Sequence, residues 1–311
     1  MSKITKNDIT RVKSIGFLHD KNSDDLFNGR VITRNGKITA AECAAIAEAA
    51  EKFGSGEVTM TTRMTIEIQG VPYDSIEPLR TFLSEHNLET GGTGAKVRPV
   101  VSCKGTTCQY GLIDTYDLSL KIHNRFFKGY NNIALPHKFK IAVGGCPNNC
   151  VKPDLNDIGI IGQRIPDINY SKCRGCKVCQ IEKNCPMKAS VLKDGKIDFN
   201  PELCNNCGRC VNKCPFKAYE NCSDGYKIYL GGRWGKKSAQ GKPLSVIFAS
   251  CDEVLDIIEK AILLFKENGF KGERFADTIA RIGFENAEST LLDNELLKRR
   301  NEIIKQEIKQ R

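Results

Sequence analysis

Apolar and polar residues alternate differently along three stretches of the chain. Residues 39–53 carry helical periodicity. Thr39 and Glu42 form a capping box ahead of AAIAEAAEKF, and Gly54 supplies a stop. Residues 57–69, EVTMTTRMTIEIQ, are rich in β-branched residues and predict a strand. Residues 74–87, with Leu79 and Phe82 among their apolar positions, predict a second helix. The first 30 residues carry no strong signal.

A Gly-rich turn, ETGGTGAK, then leads into a predicted strand around 98–103, RPVVSC, and a helical stretch near 111–126. Residues 138–144, KFKIAVG, predict a strand running into CPNNC, and 157–162, DIGIIG, another. Residues 166–222 are Cys-rich and lack long apolar periods. Strands resume at 226–232 and 245–249. An amphipathic helix follows at 251–268, capped by Asp252 and stopped near Gly269, and a last helix covers 289–310. The pattern is α+β, with a small Cys-rich domain inserted into a larger one.

Composition narrows the class. The chain has 311 residues, 40% hydrophobic and 27% charged, which suits a soluble protein of about two domains. No apolar run reaches the roughly 20 residues of a membrane span, and MSKITKNDITRVKS has no signal-peptide core, so the expected location is cytoplasmic. The fifteen cysteines sit in tight groups, which favours metal ligation over disulfides. The formal charge is +10. Twelve ligating thiolates around three 2+ clusters would add roughly −6, and anionic ligands would absorb more. Neither a basic stripe nor a nucleic-acid module is visible apart from a Lys/Arg-rich C-terminal helix, so no nucleic-acid partner is expected.

Two copies of one motif fill the insert, CRGCKVCQIEKNCP and CNNCGRCVNKCP. The second, Cys204, Cys207, Cys210 and Cys214-Pro215, has the bacterial ferredoxin spacing. There three cysteines cover one cubane and the fourth reaches the other cluster. The first copy, Cys173, Cys176, Cys179 and Cys185-Pro186, has a longer last gap. The expected ligand sets are Cys173, Cys176, Cys179 and Cys214 for one 4Fe–4S cluster, and Cys204, Cys207, Cys210 and Cys185 for the other. Zinc is the bland alternative, but zinc sites usually use two cysteine pairs. Such an insert relays electrons.

Cys103 and Cys108 frame CKGTTC, and Cys146 and Cys150 frame CPNNC. Each pair ends a predicted strand, so the two could meet around a third cluster. A zinc site or two isolated pairs of buried thiols would also satisfy the spacing. Cys43, Cys222 and Cys251 have no partner at ligand spacing and read as packing residues, Cys43 as core.

Arg63, Arg98, Lys138 and Lys140 lie near the same strands. Residues 138 and 140 of one strand share a face, which suggests an anion pocket. Most such cations are ordinary solvated groups; proximity to the cysteine pairs argues otherwise here.

The segments TTRMTIEIQGV, GGTGAKVRPVVSC, LPHKFKIAVGGCPNNC, NDIGIIG and YLGGRWG resemble the sirohaem-dependent sulfite and nitrite reductases, over about residues 25–285. Within that family the chain is most similar to the small anaerobic sulfite reductase type, with its inserted ferredoxin domain. The resemblance implies a ferredoxin-like half domain (1–90), a discontinuous sirohaem/4Fe–4S domain of the sulfite/nitrite reductase haem-domain fold (91–165 and 223–311), and a two-cluster ferredoxin insert (166–222). It implies that Cys103, Cys108, Cys146 and Cys150 hold a 4Fe–4S cluster and that Cys150 bridges to the sirohaem iron. Arg63, Arg98, Lys138 and Lys140 would bind the anionic substrate. Gly92 and Thr93 of the Gly91–Gly94 turn, with His137, Asn148 and Arg233, would hold sirohaem carboxylates. The family's first cysteine pair usually brackets five residues, whereas CKGTTC brackets four, so this loop is shorter.

Lysine at both positions of KFK is similar to sulfite-reducing members, whereas nitrite-specialised members tend to carry asparagine at the second. The implied activity is therefore six-electron reduction of sulfite to sulfide. The alternatives are nitrite reduction to ammonia, or a haem-free ferredoxin-type electron carrier. The implied donor is a reduced ferredoxin or an NADH-linked flavin subunit. Larger family members fuse two copies of this core. The implied assembly is thus a homodimer or a pair with a related subunit, the cations of one copy facing the haem of the other.

Overall fold

A computed structural model describes residues 4–311; residues 1–3, part of the first expected domain, lie outside it. The chain opens with α1 (Lys6–Ser14), β1 (Phe17–His19) and β2 (Leu26–Val31). These went unrecognised in the sequence because both strands are short and α1 spans only nine residues. A Thr5–Asp8 capping box starts that helix. Helix α2 (Ala40–Phe53) begins at the Thr39–Glu42 box and ends at Gly54, as its pattern predicts.

The single strand expected over 57–69 is a hairpin, β3 (Val58–Met60) and β4 (Ile66–Pro72). Met64 adopts φ 58°, and the Thr61 and Thr65 hydroxyls bond each other at 2.7 Å, closing the turn between them. Arg63 therefore sits on a turn, free of the ladder. Helix α3 (Ile76–Glu85) completes the unit. The sheet order is β1-β2-β4-β3, all antiparallel. Helices α2 and α3 contribute Ile46, Ala49, Leu79 and Leu83 to the same core as Phe27 and Ile68.

The second unit contains β5 (Val101–Ser102), α4 (Thr115–Ile122) continued by a π-helical turn His123–Lys128, β6 (Ile141–Gly144) and β7 (Ile158–Asp167). The chain then forms α5 (Gln180–Asn184), β8 (Ser190–Lys193) and β9 (Lys196–Phe199), and returns as β10 (Asn221–Leu230) and β11 (Lys242–Phe248). The large sheet runs β11-β10-β7-β6-β5; β5, β6 and β7 are parallel and the rest antiparallel. Strands β7 and β10 pair from Ile158–Leu230 to Asp167–Asn221. Residues 168–220 leave the sheet at that end. They pack a small core of their own around Ile181, Ile197, Ala218 and Tyr219.

Helix α6 (Cys251–Asn268) covers the large sheet. It is capped by Ser250 through a box with Glu253, so Asp252 belongs to the first turn instead of the cap. It buries Val254, Ile258, Ala261, Ile262 and Phe265 against the sheet residues Ile141, Ile158, Ile160 and Ile228. Burying each large side chain of this kind contributes about 1.5–3 kcal/mol. Helix α7 (Phe275–Ile282) follows. The long helix expected over 289–310 is three pieces, α8 (Phe284–Leu292), α9 (Glu295–Lys298) and α10 (Arg300–Ile303). Asp293, fully extended, ends α8 and turns the chain. Cys43 is exposed on α2, not in the core, and Cys222 is exposed too; Cys251 packs beside the core. Among the described residues no helix is long and apolar enough to cross a membrane.

Candidate functional site

The KFK segment is fixed by its middle residue. Phe139 is fully buried and meets Phe265 at 5.9 Å and Phe275 at 5.1 Å between ring centroids. Lys138 and Lys140 therefore turn to the opposite side of this extended segment. Phe139 also bridges in parallel to Val97, with Arg98 N–H donating to its carbonyl at 2.8 Å. Val97 is buried, so Arg98 faces the same side as the two lysines.

Arg63 reaches this place from the β3–β4 turn. Its guanidinium donates to the carbonyls of Pro99 (3.0 and 2.5 Å) and Ile141 (3.0 Å) and to Asn156 Oδ1 (2.9 Å). Arg98 Nη1 donates to the Gly92 carbonyl at 2.5 Å, while its buried Nε has no partner among the described residues. Gly92 adopts φ +74°, and a Cβ there would lie 2.6 Å from Pro99, so only glycine fits. Thr93 is buried, and its hydroxyl donates to the Lys13 carbonyl.

His137 and Arg233 lie in the same charged neighbourhood. His137 Nδ1 accepts from Lys138 N–H at 2.7 Å, and Arg233 holds Asp277 at 2.8 Å. Two residues that the sequence did not single out complete the group. Arg274, at the N-cap of α7, bonds the fully buried Asp157 at 3.1 and 3.3 Å. Asp157 also accepts from Lys140 N–H at 2.8 Å. Nothing in the local sequence pattern marks either residue; only the fold joins α7 to the start of β7.

The charge balance is lopsided. Among the described residues Arg30, Arg233 and Arg274 have carboxylate partners, whereas Arg63, Arg98, Lys138 and Lys140 take part in no ion pair. Burial, then Arg63 and Arg274, lower Lys140 to about 8, against Asp157. Burial, then Arg274, lower Lys138 as well. Burial and the surrounding cations hold His137 near 4, so it is neutral at pH 7. Arg63 and Arg98 come down to about 10, chiefly through burial, and stay charged. Packing like charges this closely favours an anion.

The cysteines lie at the other end of the same strands. Cys103 follows β5 and Cys146 follows β6, whereas Arg98 and Lys140 precede them. The four residues of β6, Ile141–Gly144, lie between Lys140 and the bend that carries Cys146, about 13 Å of strand. Within one chain, Arg98, Lys138 and Lys140 thus lie at the opposite end of the parallel strands from Cys103 and Cys146.

Cys103, Cys108, Cys146 and Cys150 line one cavity of about 410 Å³ with Met64, Tyr110 and Asn148. Asn148 is therefore grouped with the thiols. The short CKGTTC loop closes because Gly105 packs on Gly145, where a Cβ would lie 2.9 Å away. Asn149, at φ 57°, turns CPNNC back on itself. Gly145 N–H donates to Cys103 Sγ at 3.1 Å. Burial, with the other three thiols adding, raises Cys146.

The insert holds two further groups. Cys173, Cys176, Cys179 and Cys214 line one cavity with Val178 and Phe216. Cys210 is pushed up to about 12 by burial and then by Cys204, Cys207 and Cys185 around it. Backbone N–H groups of Ile197, Asn206 and Ala189 donate to Cys173, Cys204 and Cys185 at 3.4, 3.4 and 3.2 Å. Such bonds stabilise thiolates and tune a cluster's potential. Among the described residues no three Cys, His, Asp or Glu side chains gather tightly enough for one metal ion. A zinc ion with bonds of about 2.3 Å would need sulfurs within about 4 Å. Quartets spread around cavities suit a larger, multi-iron group.

The two centres are joined by a seam. Cys146 and Cys207 line a common cleft with Tyr110, Arg164 and Arg209. Arg164 N–H donates to the Asn206 carbonyl at 2.7 Å, its guanidinium holds Asp224 at 2.7 Å, and its stem packs on Gly208.

Residues 93–299 match the family described as nitrite and sulphite reductase 4Fe-4S domain, and residues 19–86 match the nitrite/sulfite reductase ferredoxin-like half domain. The coenzyme F420-dependent sulfite reductase of Methanocaldococcus jannaschii is 31% identical over 78% of this chain and 38% of that protein. The C component of the anaerobic sulfite reductase of Salmonella typhimurium is 30% identical over 67% of this chain and 65% of that protein. The chain thus spans less than two thirds of either relative. A crystal structure of dissimilatory sulfite reductase I superposes with a TM-score of 0.70 at 22% identity, covering 86% of this chain and 69% of that one. That likeness shares the fold: a ferredoxin-like half domain followed by the reductase domain, with mixed helices and sheets.

Proposed function

Because this chain belongs to the nitrite and sulfite reductase family, we propose that it reduces sulfite to sulfide at a sirohaem coupled to a 4Fe–4S cluster. The observation that carries the reading is the set of four unpaired cations, Arg63, Arg98, Lys138 and Lys140, converging beside the Gly92 turn. A pocket with that charge suits a small dianion and the carboxylates of a tetrapyrrole; the buried, unpartnered Arg98 Nε fits an anionic oxygen.

The residues present suit these groups. Cys103, Cys108, Cys146 and Cys150 would hold one cluster, with Cys150, exposed at the cavity mouth, shared with the haem iron. Residues 166–222 would be a ferredoxin module holding two more clusters on Cys173, Cys176, Cys179 and Cys214 and on Cys185, Cys204, Cys207 and Cys210. When bound, these groups would relay electrons from the donor and provide the iron at which sulfite is reduced.

The chain's own residues would do the rest. Arg63, locked by two backbone carbonyls, presents fixed positive charge without reorganisation. Lys140, near 8, is protonated at neutral pH yet close enough to its transition to give up a proton as S–O bonds break. Lys138 adds a second donor. The seam of Cys207 and Cys146 supports electron passage from the insert toward the sheet.

The placement of Arg98, Lys138 and Lys140 ahead of the parallel strands and of Cys103 and Cys146 after them supports a composite site. Lys140 and its neighbours in one copy would face the haem held by Cys150 of a second copy or of a related subunit. The external donor would be a reduced ferredoxin or an NADH-linked flavin subunit.

The test is anaerobic purification, a visible spectrum and extraction of the chromophore, followed by turnover with sulfite and with nitrite. Extracted sirohaem and a higher kcat/KM for sulfite support the reading. A higher value for nitrite makes it an ammonia-forming nitrite reductase. Fully cluster-loaded protein without a tetrapyrrole makes it an electron carrier.

A further inference from the structure

Arg274 is buried at 7% exposure, and Asp157 is fully buried. Only one nitrogen of Arg274, Nη2, meets Asp157; its buried Nε has no partner among the described residues. A guanidinium left with an unmet donor in the interior is costly unless an acceptor arrives. Asp157 does two tasks at once, holding Arg274 by one edge and the backbone N–H of Lys140 by Oδ2. It is the carboxylate nearest Lys140 in a place otherwise filled by cations.

We propose that Arg274 is a fifth cation of the anion site, its free Nε–H binding an anionic oxygen, and that Asp157 is the positioning residue that holds Arg274 and Lys140 in register. This rests on the reading of the Arg63–Arg98–Lys138–Lys140 group as an anion site. The oxygen belongs to sulfite or to a tetrapyrrole carboxylate, which share the chemistry of a delocalised anion accepting from a guanidinium. Sequence distance hides the residue: it lies far along the chain from Lys140, on a helix cap with no motif of its own.

The geometry also sets a pH signature. Lys140 is faced by Arg63 from the β3–β4 turn, Arg274 from the α7 cap, Asp157 from the start of β7 and Lys138 on its own segment. Asp157 is the member of this group that favours the protonated lysine. Removing its charge while keeping its shape lets Lys140 deprotonate at lower pH, an effect that loss of packing alone does not produce.

Removing one partner alone strands a buried charge, so the measurement uses cofactor-loaded Asp157→Asn and the double variant Asp157→Asn/Arg274→Met. Lys140→Ala and the exposed Lys271→Ala serve as references. Three quantities are read: tetrapyrrole per chain by extraction, sulfite affinity by visible titration of the oxidised protein without reductant, and the pH profile of turnover. The expected result for the double variant is one of two losses, each of tenfold or more against Lys271→Ala. Weaker sulfite binding at full tetrapyrrole content assigns the oxygen to substrate. Lost tetrapyrrole with unchanged sulfite affinity in the loaded fraction assigns it to the cofactor. Asp157→Asn is expected to move the alkaline limb of the profile to lower pH. Normal tetrapyrrole content and sulfite affinity in the double variant, with Lys140→Ala impaired, overturn the role of Arg274 alone. An unmoved alkaline limb in Asp157→Asn overturns the role of Asp157. If Lys140→Ala is also unimpaired, the anion-site reading itself fails.

Discussion

Cys146, just beyond the end of β6, and Cys207, in the second cysteine run of the insert, line the same cleft, and Tyr110 lines both that cleft and the cavity of Cys103, Cys108, Cys146 and Cys150. Cys176, in the first run, instead lines a cavity walled by insert residues, among them the exposed Val178 and Phe216. The cluster proposed on Cys185, Cys204, Cys207 and Cys210 is therefore expected to couple magnetically to the one proposed on Cys103, Cys108, Cys146 and Cys150 when both are reduced. Cys207→Ser should abolish that splitting in electron paramagnetic resonance spectra, and Cys176→Ser should leave it. The reverse pattern would place the other insert cluster next to the sheet.

Lys140, as the proposed proton donor, predicts an alkaline limit. Its value is lowered to about 8, first by burial and then by Arg63 and Arg274. A step that needs its proton proceeds below that pH and fades above it, so kcat/KM for sulfite should fall as pH rises through about 8. His137, near 4, stays neutral across this range and adds no limb. For stability the sign is opposite. The unfolded chain binds more protons than the folded one between about 8 and 10.5, so this group makes the fold more stable as pH rises there. Lys140→Met should accordingly raise the Tm at pH 7 while removing sulfite turnover, a trade common at functional sites. A lower Tm would show that Lys140 is favourably placed in the resting fold.

The separation of cations from thiols gives a complementation test. Lys140→Ala and Cys150→Ala proteins, each inactive alone, should regain up to about a quarter of wild-type activity when co-expressed. In random dimers one half are mixed, and each mixed dimer keeps one intact site of two. No recovery in mixed dimers whose formation is verified by differential tags would place both groups in one chain's site.

Glu259 anchors the far side of α6. It is buried and accepts from Tyr130 and Arg125, and from Arg300 at 2.6 Å. Glu259→Ala should cost about 3 kcal/mol, the low end for breaking a buried ion pair, because Arg125 and Arg300 remain partly exposed. The check is Tm alongside iron content: a lower Tm at unchanged iron per chain is expected, and an unchanged Tm would mean that water replaces the carboxylate.

Local signals were legible and distant ones were not. The Thr39–Glu42 box and Gly54 delimit α2 because a cap and a stop act within one turn of the chain. The strand expected over 57–69 became a hairpin because Met64 takes a left-handed conformation that no Gly or Asn announces. The final helix broke at Asp293, where packing of α8 and α9 on α6 outweighed propensity. Alanine spacing suggested that Cys43 is core, yet α2 shows that face to solvent.

The sequence by itself determined the chemistry that depends on short spacing: the cysteine runs, the capped helices, and the KFK segment whose buried phenylalanine sends both lysines one way. These follow from bond lengths and strand or helix period, which act over a few residues. The tertiary structure alone decided that Arg63 reaches the lysines from a turn, that Asp157 ties Lys140 to Arg274, and that the thiols stand at the opposite end of the strands. Parallel pairing of β5 with β6 enforces that last fact, because the residues leading into the two strands lie at one end of the pair and those leaving them at the other.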